Sequence, residues 1–258
     1  MAHRPRKRFG QNFLHDPNVI QRIVDLIDPH ADEHLVEIGP GQGALTTPLL
    51  KRAGRLDVIE LDRDLVPPLQ NRFAAEAHFR VHQADALKFD FHSLYRQKKL
   101  RVVGNLPYNI STPLLFHLMQ YLDCIEDMHF MLQKEVVDRI TAQAGESHYG
   151  RLGIMLGYYC QTERLMTIGP GAFSPPPKVD SAIVRLTPHA TPPVQVDDLA
   201  MLSKVVTQAF SQRRKTLRNG LKGLVSEAEI MQLDIDPGLR PEQIPLSQFA
   251  RLANSIIK

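Results

Sequence analysis

The stretch that most constrains this chain runs from His34 to Thr46, where a short apolar run breaks into glycines at alternate positions and then resumes with helix formers. It reads as a buried strand, a tight turn and a helix start. Gly39, Gly41 and Gly43 leave the backbone free to take positive φ and let a ligand approach main-chain atoms that a Cβ would shield. The spacing is GxGxG, not the GxGxxG of dinucleotide enzymes, and a glycine-rich turn of this kind serves packing as readily as ligand binding. The downstream residues decide between the two.

Three further apolar runs each end in a polar residue at intervals that leave room for one helix between neighbours: Leu56 to Glu60, Phe79 to Asp85 and Leu100 to Asn105. Strands alternating with helical patterns imply βαβ units in a parallel sheet, and such sheets bind ligands beyond the carboxyl ends of their strands. Gly39, Glu60, Asp85 and Asn105 therefore line one edge. Glu60 falls roughly twenty residues after the glycine turn, where an acid can take both ribose hydroxyls of an adenosine ligand.

The chain has 258 residues, 43% of them hydrophobic, enough for one sizeable core and a smaller appendage. Cys124 and Cys160 have no CxxC spacing, so neither a disulfide framework nor a zinc site is expected, and a reducing cytoplasm is. No apolar run reaches the roughly eighteen to twenty residues needed to span a bilayer, and the basic N-terminus lacks the apolar segment of an export signal. The expectation is a soluble protein with no membrane partner. A net charge of +3 is too small to argue a nucleic-acid partner, so the placement of charge has to carry that case.

That placement is uneven. Arg4, Arg6, Lys7 and Arg8 open the chain, and Arg213, Arg214, Lys215, Arg218 and Lys222 crowd into one expected helix. Arg214 and Arg218 are one helical turn apart, and Lys215, Arg218 and Lys222 share helical spacing with no acid interleaved, a face that repels itself unless an anion meets it. Near the start, Asp16 caps and Pro17 opens a helix with apolar Ile20, Ile23, Val24 and Ile27, which Asp28 and Pro29 end. Gln11, Asn12 and Leu14 precede it in a loop that either caps the helix or holds a ligand. His30 and His34 flank Glu33 but not in HExxH order, and no metal site is expected. Neither a GxxxxGK[ST] phosphate loop nor a GxSxG elbow occurs, which removes common ATPase and hydrolase readings.

Asn105-Leu-Pro-Tyr108 ends the fourth strand on the ligand edge. An adenine exocyclic amine is a poor nucleophile because its lone pair is delocalised into the ring. The Asn105 side-chain oxygen and the Leu106 or Pro107 backbone carbonyl are placed to accept its two N–H bonds, drawing the nitrogen toward tetrahedral geometry, while Tyr108 stacks on the base. This is stabilisation by placed acceptors and not general-base catalysis, since an amide has no useful basicity.

Together, Glu37 to Gly43, Glu60, Asp85 and Asn105 to Tyr108 resemble the S-adenosylmethionine-dependent ribosomal RNA adenine dimethyltransferases. With Gly10 to Leu14 and the segment from Phe173 to Ser181, the chain is similar over essentially its whole length to the bacterial small-subunit group. The resemblance implies an α/β fold: a seven-stranded, Rossmann-like class I methyltransferase sheet with one antiparallel strand over residues 1–190, then a small all-helical RNA-recognition domain over 191–258. It implies S-adenosylmethionine as cofactor, with Gln11, Asn12 and Leu14 covering it, Gly39 and Gly41 at its methionine end, Glu60 on the ribose, and Asp85 with Ala86 at the adenine, beside Asn105. It also implies that Phe173 supplies a second stacking face opposite Tyr108 for a flipped adenine.

The substrate implied is a pair of adjacent adenines in a 3'-terminal hairpin of 16S ribosomal RNA, within a partly assembled small subunit and met by a monomer. The basic Arg213 to Lys222 segment would lie on phosphate. Pro67 and Pro68 must sit at a helix start. Further elements are expected as a strand over Met128 to Leu132, a helix over Lys134 to Ala144, and strands at Arg164 to Ile168 and Ser181 to Leu186. A capping box is expected between Ser226 and Glu229, and Phe249, Leu252 and Ile256 mark a final helix. Two alternatives stay open: a large-subunit methyltransferase of the resistance type, and a noncatalytic RNA-binding assembly factor.

Overall fold

The computed structural model describes residues 12–212 and 214–256. Gln11, the basic residues Arg4 to Arg8 and Arg213 lie outside the described residues. The chain divides into two compact units, the first comprising residues 1–137 and 163–188, the second residues 138–162 and 189–258.

The first unit is built on a seven-stranded sheet. Its strands are β1 (His34–Ile38), β2 (Arg55–Glu60), β3 (Phe79–Gln83), β4 (Leu100–Asn105), β5 (Ile125–Gln133), β6 (Cys160–Ile168) and β7 (Ser181–Pro188). The order across the sheet is β3-β2-β1-β4-β5-β7-β6. β1 is buried along its whole length because it pairs in parallel with β2 on one side and β4 on the other. A strand covered on both faces reads as a continuous apolar run, which is why Leu35, Val36 and Ile38 stand there. β7 runs antiparallel to β5, with Met128 opposite Leu186 and Gln133 opposite Ser181.

Register places the ligand edge. Ile38 is level with Ile59 on one side and Gly104 on the other, and Glu60 is level with Gln83. The carboxyl ends of the first four strands thus finish on one line, and the chain order reverses on either side of β1, the topological switch point of an open α/β sheet.

Helices α1 (Pro17–Ile27), α2 (Thr46–Leu50), α3 (Val66–Arg72) and α4 (Ser111–Leu118) complete this unit. Asp16 caps α1 by accepting from the Asn18 and Val19 backbone N–H groups at 2.8 and 3.2 Å, and Asp28 ends it in the left-handed conformation. Pro67 and Pro68 fall in the first turn of α3, where their missing N–H groups cost nothing. Ahead of α1, Phe13 and Leu14 pair antiparallel with Ser174 and Phe173.

The second unit is helical: α6 (Arg151–Tyr159), α7 (Leu199–Ser211), α8 (Leu217–Gly220), α9 (Glu227–Gln232) and α10 (Leu246–Ile256) follow α5 (Lys134–Thr141), which crosses into it from the first unit. Residues 138–162 group here, apart from the expected division at 190. The cause is packing local to this unit: the Tyr149 hydroxyl donates to the Ile244 carbonyl at 2.9 Å, the Gly145 N–H donates to the Glu242 carbonyl at 2.7 Å, and the rings of Tyr149, Phe210 and Phe249 form a cluster. The α6 helix is not among the elements expected from the sequence. Ser226 and Glu229 do form the capping box of α9, and Phe249 and Leu252 of α10 are buried.

The basic segment is a correction. Arg214, Lys215, Arg218 and Lys222 do not lie on one helix: α7 stops at Ser211, α8 is a single turn from Leu217 to Gly220, and Gly223 adopts a φ of +86°. Arg218 also meets an acid from farther along, Glu227, at 3.1 Å. Glycines at both ends of Leu221 and Lys222 end the helical run that their spacing suggested.

Candidate active site

A cleft opens at the carboxyl ends of β1, β2, β3 and β4, and it brings together Asn12, Leu14, Gly39, Gly41, Glu60, Asp85, Ala86 and the whole of Asn105 to Tyr108. Sequence positions nearly a hundred residues apart thus share one wall, as the strand-end argument requires.

The floor is the glycine turn. Gly39 and Gly41 take φ of +66° and +57°, and a Cβ on Gly41 would sit 3.1 Å from the Phe13 ring. Only glycine gives this turn at that separation without strain. The turn is tied to β2, because the Glu60 carboxylate accepts from the Gly41 N–H at 3.2 Å and from the Asp62 N–H at 2.8 Å. Each carboxylate oxygen carries two acceptor sites, so both retain capacity to take a hydroxyl. Burial pushes the Glu60 carboxyl above its ordinary range, with the two backbone N–H bonds opposing it.

Beneath the turn lies Glu37, 2% exposed, whose carboxylate accepts from the Thr46 hydroxyl at 2.6 Å. Burial pushes its pKa up to about 7. The motif by itself assigns neither Glu37 nor Thr46 a role. A signal for the pair does exist in the sequence, since an acid inside an otherwise apolar strand is costly unless a donor meets it.

On the far side Asp85 accepts from the Leu87 N–H at 3.0 Å, which fixes the loop after β3. Leu61 contributes apolar surface to the cleft while 51% exposed, an arrangement suited to the face of a flat ring.

The opposite wall is the loop after β4. The Leu106 N–H donates to the Met131 carbonyl at 3.2 Å, and the Ile110 N–H donates to the Pro107 carbonyl at 3.2 Å, so the loop backbone is held at two points. The Asn105 side-chain amide donates to the Asn12 carbonyl at 3.1 Å. That bond uses the nitrogen and turns the amide oxygen into the remaining acceptor. Tyr108 lines the cleft, and its hydroxyl lies 3.0 Å from the Ser181 hydroxyl.

Phe173 stands elsewhere. It is 3% exposed and belongs to the core cluster with Leu14, Ile168 and Ile183. The second stacking face is therefore not formed by this residue in the conformation described; backbone pairing with Leu14 sets its ring into the core. His34, the other half of the discounted metal pair, is bonded to the Asp57 carboxylate at 2.6 Å. Away from the cleft, His92, Asp123 and Cys124 offer donor atoms within 4.8 Å of one another, with the Cys124 thiol pushed up to about 11 by burial.

The fold and cleft together define an α/β methyltransferase. Superposition gives a TM-score of 0.79 and 25% identity to a dimethyladenosine transferase from Plasmodium falciparum, covering 93% of this chain and 95% of that one. The 23S rRNA methyltransferase ErmE gives a TM-score of 0.75 and 25% identity, covering 96% of this chain and all of its counterpart (100%). The family is defined more narrowly by sequence: the family model described as Ribosomal RNA adenine dimethylase matches residues 2–258. The chain is 61% identical over 255 residues to Ribosomal RNA small subunit methyltransferase A of Pseudomonas aeruginosa, covering 98% of this chain and 95% of that protein. It is 56% identical to the protein of the same name from Methylococcus capsulatus, with 99% of each covered. The chain belongs to the ribosomal RNA adenine dimethylase family.

Proposed function

We propose that this protein transfers methyl groups from S-adenosylmethionine to the exocyclic amine of two adjacent adenines in a hairpin of small-subunit ribosomal RNA, giving dimethyladenine in the cytoplasm. The observation that carries the reading is the Asn105 amide, oriented by the Asn12 carbonyl on the same cleft wall that faces Glu60 and Asp85.

The residues fit the cofactor. A glycine turn with positive φ at Gly39 and Gly41 admits a bulky group against main chain, and Glu60 has acceptor sites left for ribose hydroxyls. Asp85 and the apolar surface of Leu61 suit an adenine. When bound, S-adenosylmethionine supplies an electrophilic methyl group. Everything else is done by the chain. The Asn105 Oδ1 accepts one N–H of the target amine and a backbone carbonyl, that of Leu106 or Pro107, accepts the other. Two acceptors pull the nitrogen toward tetrahedral geometry and localise its lone pair, an effect strongest in the transition state. Tyr108 stacks on the base, which has to leave its own stack to enter the cleft. After one transfer the nitrogen loses a proton to solvent and keeps one N–H for either acceptor, so a second transfer proceeds in the same pocket with one acceptor engaged instead of two.

Choice of one RNA site must come from contacts outside the pocket. Arg214, Lys215, Arg218 and Lys222, with Arg213, are the candidates for phosphate contact, acting on a partly assembled small subunit as a monomer. About 60% identity to small-subunit relatives against 25% to a large-subunit enzyme favours the small subunit.

The test is methyl transfer from labelled S-adenosylmethionine to small-subunit particles, large-subunit particles and a short naked hairpin, with mass spectrometry of the digested RNA. Dimethyladenine in the small-subunit particle is expected. Product that is only monomethylated, or transfer confined to the large subunit, overturns the reading, and no transfer at all favours the noncatalytic alternative.

A further inference from the structure

The segment from Phe173 to Ser181 carries part of the family resemblance, yet its aromatic residue is buried in the core. Its last residue is the one that reaches the motif. The hydroxyls of Tyr108 and Ser181 lie 3.0 Å apart, and either can donate.

The two residues differ in how they are held. Ser181 opens β7, is 1% exposed, and sits in register opposite Gln133, while the preceding Asp180 carbonyl accepts from the Lys134 N–H at 2.9 Å. It is a fixed point on the sheet. Tyr108 stands on a loop and is only half-buried; its carbonyl accepts from the Ser111 hydroxyl at 3.1 Å. Its side chain therefore depends on the far end for direction. The phenolic oxygen lies on the long axis of the ring. A hydrogen bond there selects one χ1 well among the staggered alternatives but leaves the ring free to turn about that axis and meet an incoming base.

We propose that Ser181 is a positioning residue for the target adenine, acting through the Tyr108 hydroxyl to hold the ring in the direction from which it stacks. The inference rests on the stacking role proposed above for Tyr108. It assigns the second motif two jobs: Phe173 anchors the Asn12 to Leu14 strap from the core, and Ser181 aims the aromatic that touches the base.

The test is a double-mutant cycle of Ser181→Ala and Tyr108→Phe on the full chain, read as single-turnover methyl transfer to small-subunit particles at saturating S-adenosylmethionine, with cofactor affinity by calorimetry. Each single change should slow transfer by about threefold to tenfold, the worth of one hydrogen bond, and the double change no further. Cofactor affinity should not move. Multiplying losses, or a wild-type rate in Ser181→Ala, overturn the proposal. Should Ser181→Ala fail to fold, Tyr108→Phe leaves the core intact, and a wild-type rate in it overturns the proposal equally. Tyr108→Ala separates the two readings: an unchanged rate there brings down the stacking role itself, whereas a severe loss beside an unaffected Ser181→Ala brings down only the Ser181 assignment.

Discussion

The Asn105 side-chain amide donates to the backbone carbonyl of Asn12 at 3.1 Å, so a residue near the start of the chain fixes the orientation of the amide at the end of β4. A freely turning amide would offer nitrogen or oxygen; this one offers oxygen. If Asn105 accepts from the target amine as proposed, its orientation is set before the base arrives, the preorganisation that a neutral acceptor needs.

Asn105→Ala should therefore lower the single-turnover rate by about a hundredfold to a thousandfold, the cost of removing one preorganised polar group from a reacting centre. Cofactor affinity should change much less. Rapid-quench transfer assays with calorimetry on the same preparation check both, and a near-normal rate would remove Asn105 from the chemistry.

Glu60→Gln keeps the size of the side chain while removing its charge. It should weaken S-adenosylmethionine binding by about 1.5 to 3 kcal/mol for each charge-assisted hydrogen bond to the ribose that is lost. An unchanged affinity in a calorimetric titration would detach Glu60 from the ribose and leave it the structural role of holding Gly41 and Asp62.

Phe173 and Tyr108 should now part company. Phe173→Ala opens a cavity in a packed core and should cost about 3 to 5 kcal/mol of stability. Tyr108→Ala, on a loop at the cleft, should cost clearly less stability than Phe173→Ala while abolishing transfer to RNA. Urea unfolding of the two variants distinguishes them, and a Phe173→Ala variant of wild-type stability would reopen its role as a stacking face.

Glu37 makes stability depend on pH. Its carboxyl, raised by burial from the ordinary 4.5 to about 7, is neutral in both folded and unfolded chains at low pH. As pH rises through that window the unfolded chain ionises first, so the contribution is full below 4.5 and lost by the time pH passes about 7. Glu37→Gln cannot ionise and should flatten the decline. Unfolding midpoints at the two ends of the window give the comparison; the same decline in both proteins would place its origin in other groups.

Binding to RNA should weaken with salt. Replacing Arg214 and Lys222 together with Ala should reduce the slope of log K against log salt by about 1.4 to 1.8 if both lie on phosphates. Arg218→Ala should do less, because Glu227 already meets that guanidinium. Filter binding across a salt series reads the slopes, and identical slopes in the double variant would put the phosphate contacts elsewhere on the chain.

What the sequence determined by itself was the edge. Strand ends, turn glycines and the spacing of polar residues after apolar runs are local quantities, fixed by backbone sterics and by burial on alternating strands and helices. They were enough to bring Gly39, Glu60, Asp85 and Asn105 into one cleft. What only the tertiary structure decided was partnership.

Asp57 lies within an apolar run, yet it is fully buried. Burial would raise its carboxyl, but hydrogen bonds from His34, His82 and Arg55, residues of three strands, hold it well below its usual range. Phe173 reads by resemblance as a stacking ring until the register with Leu14 sends it inward. The basic residues from Arg214 to Lys222 keep helical spacing on paper, but the chain turns between them. Nor does any pattern near Ser181 reveal that its hydroxyl meets Tyr108, since that contact joins positions 73 residues apart. Which side chain faces which depends on how distant strands are placed in register, and the free energy that sets it comes from burying the whole sheet at once, not from any segment read alone.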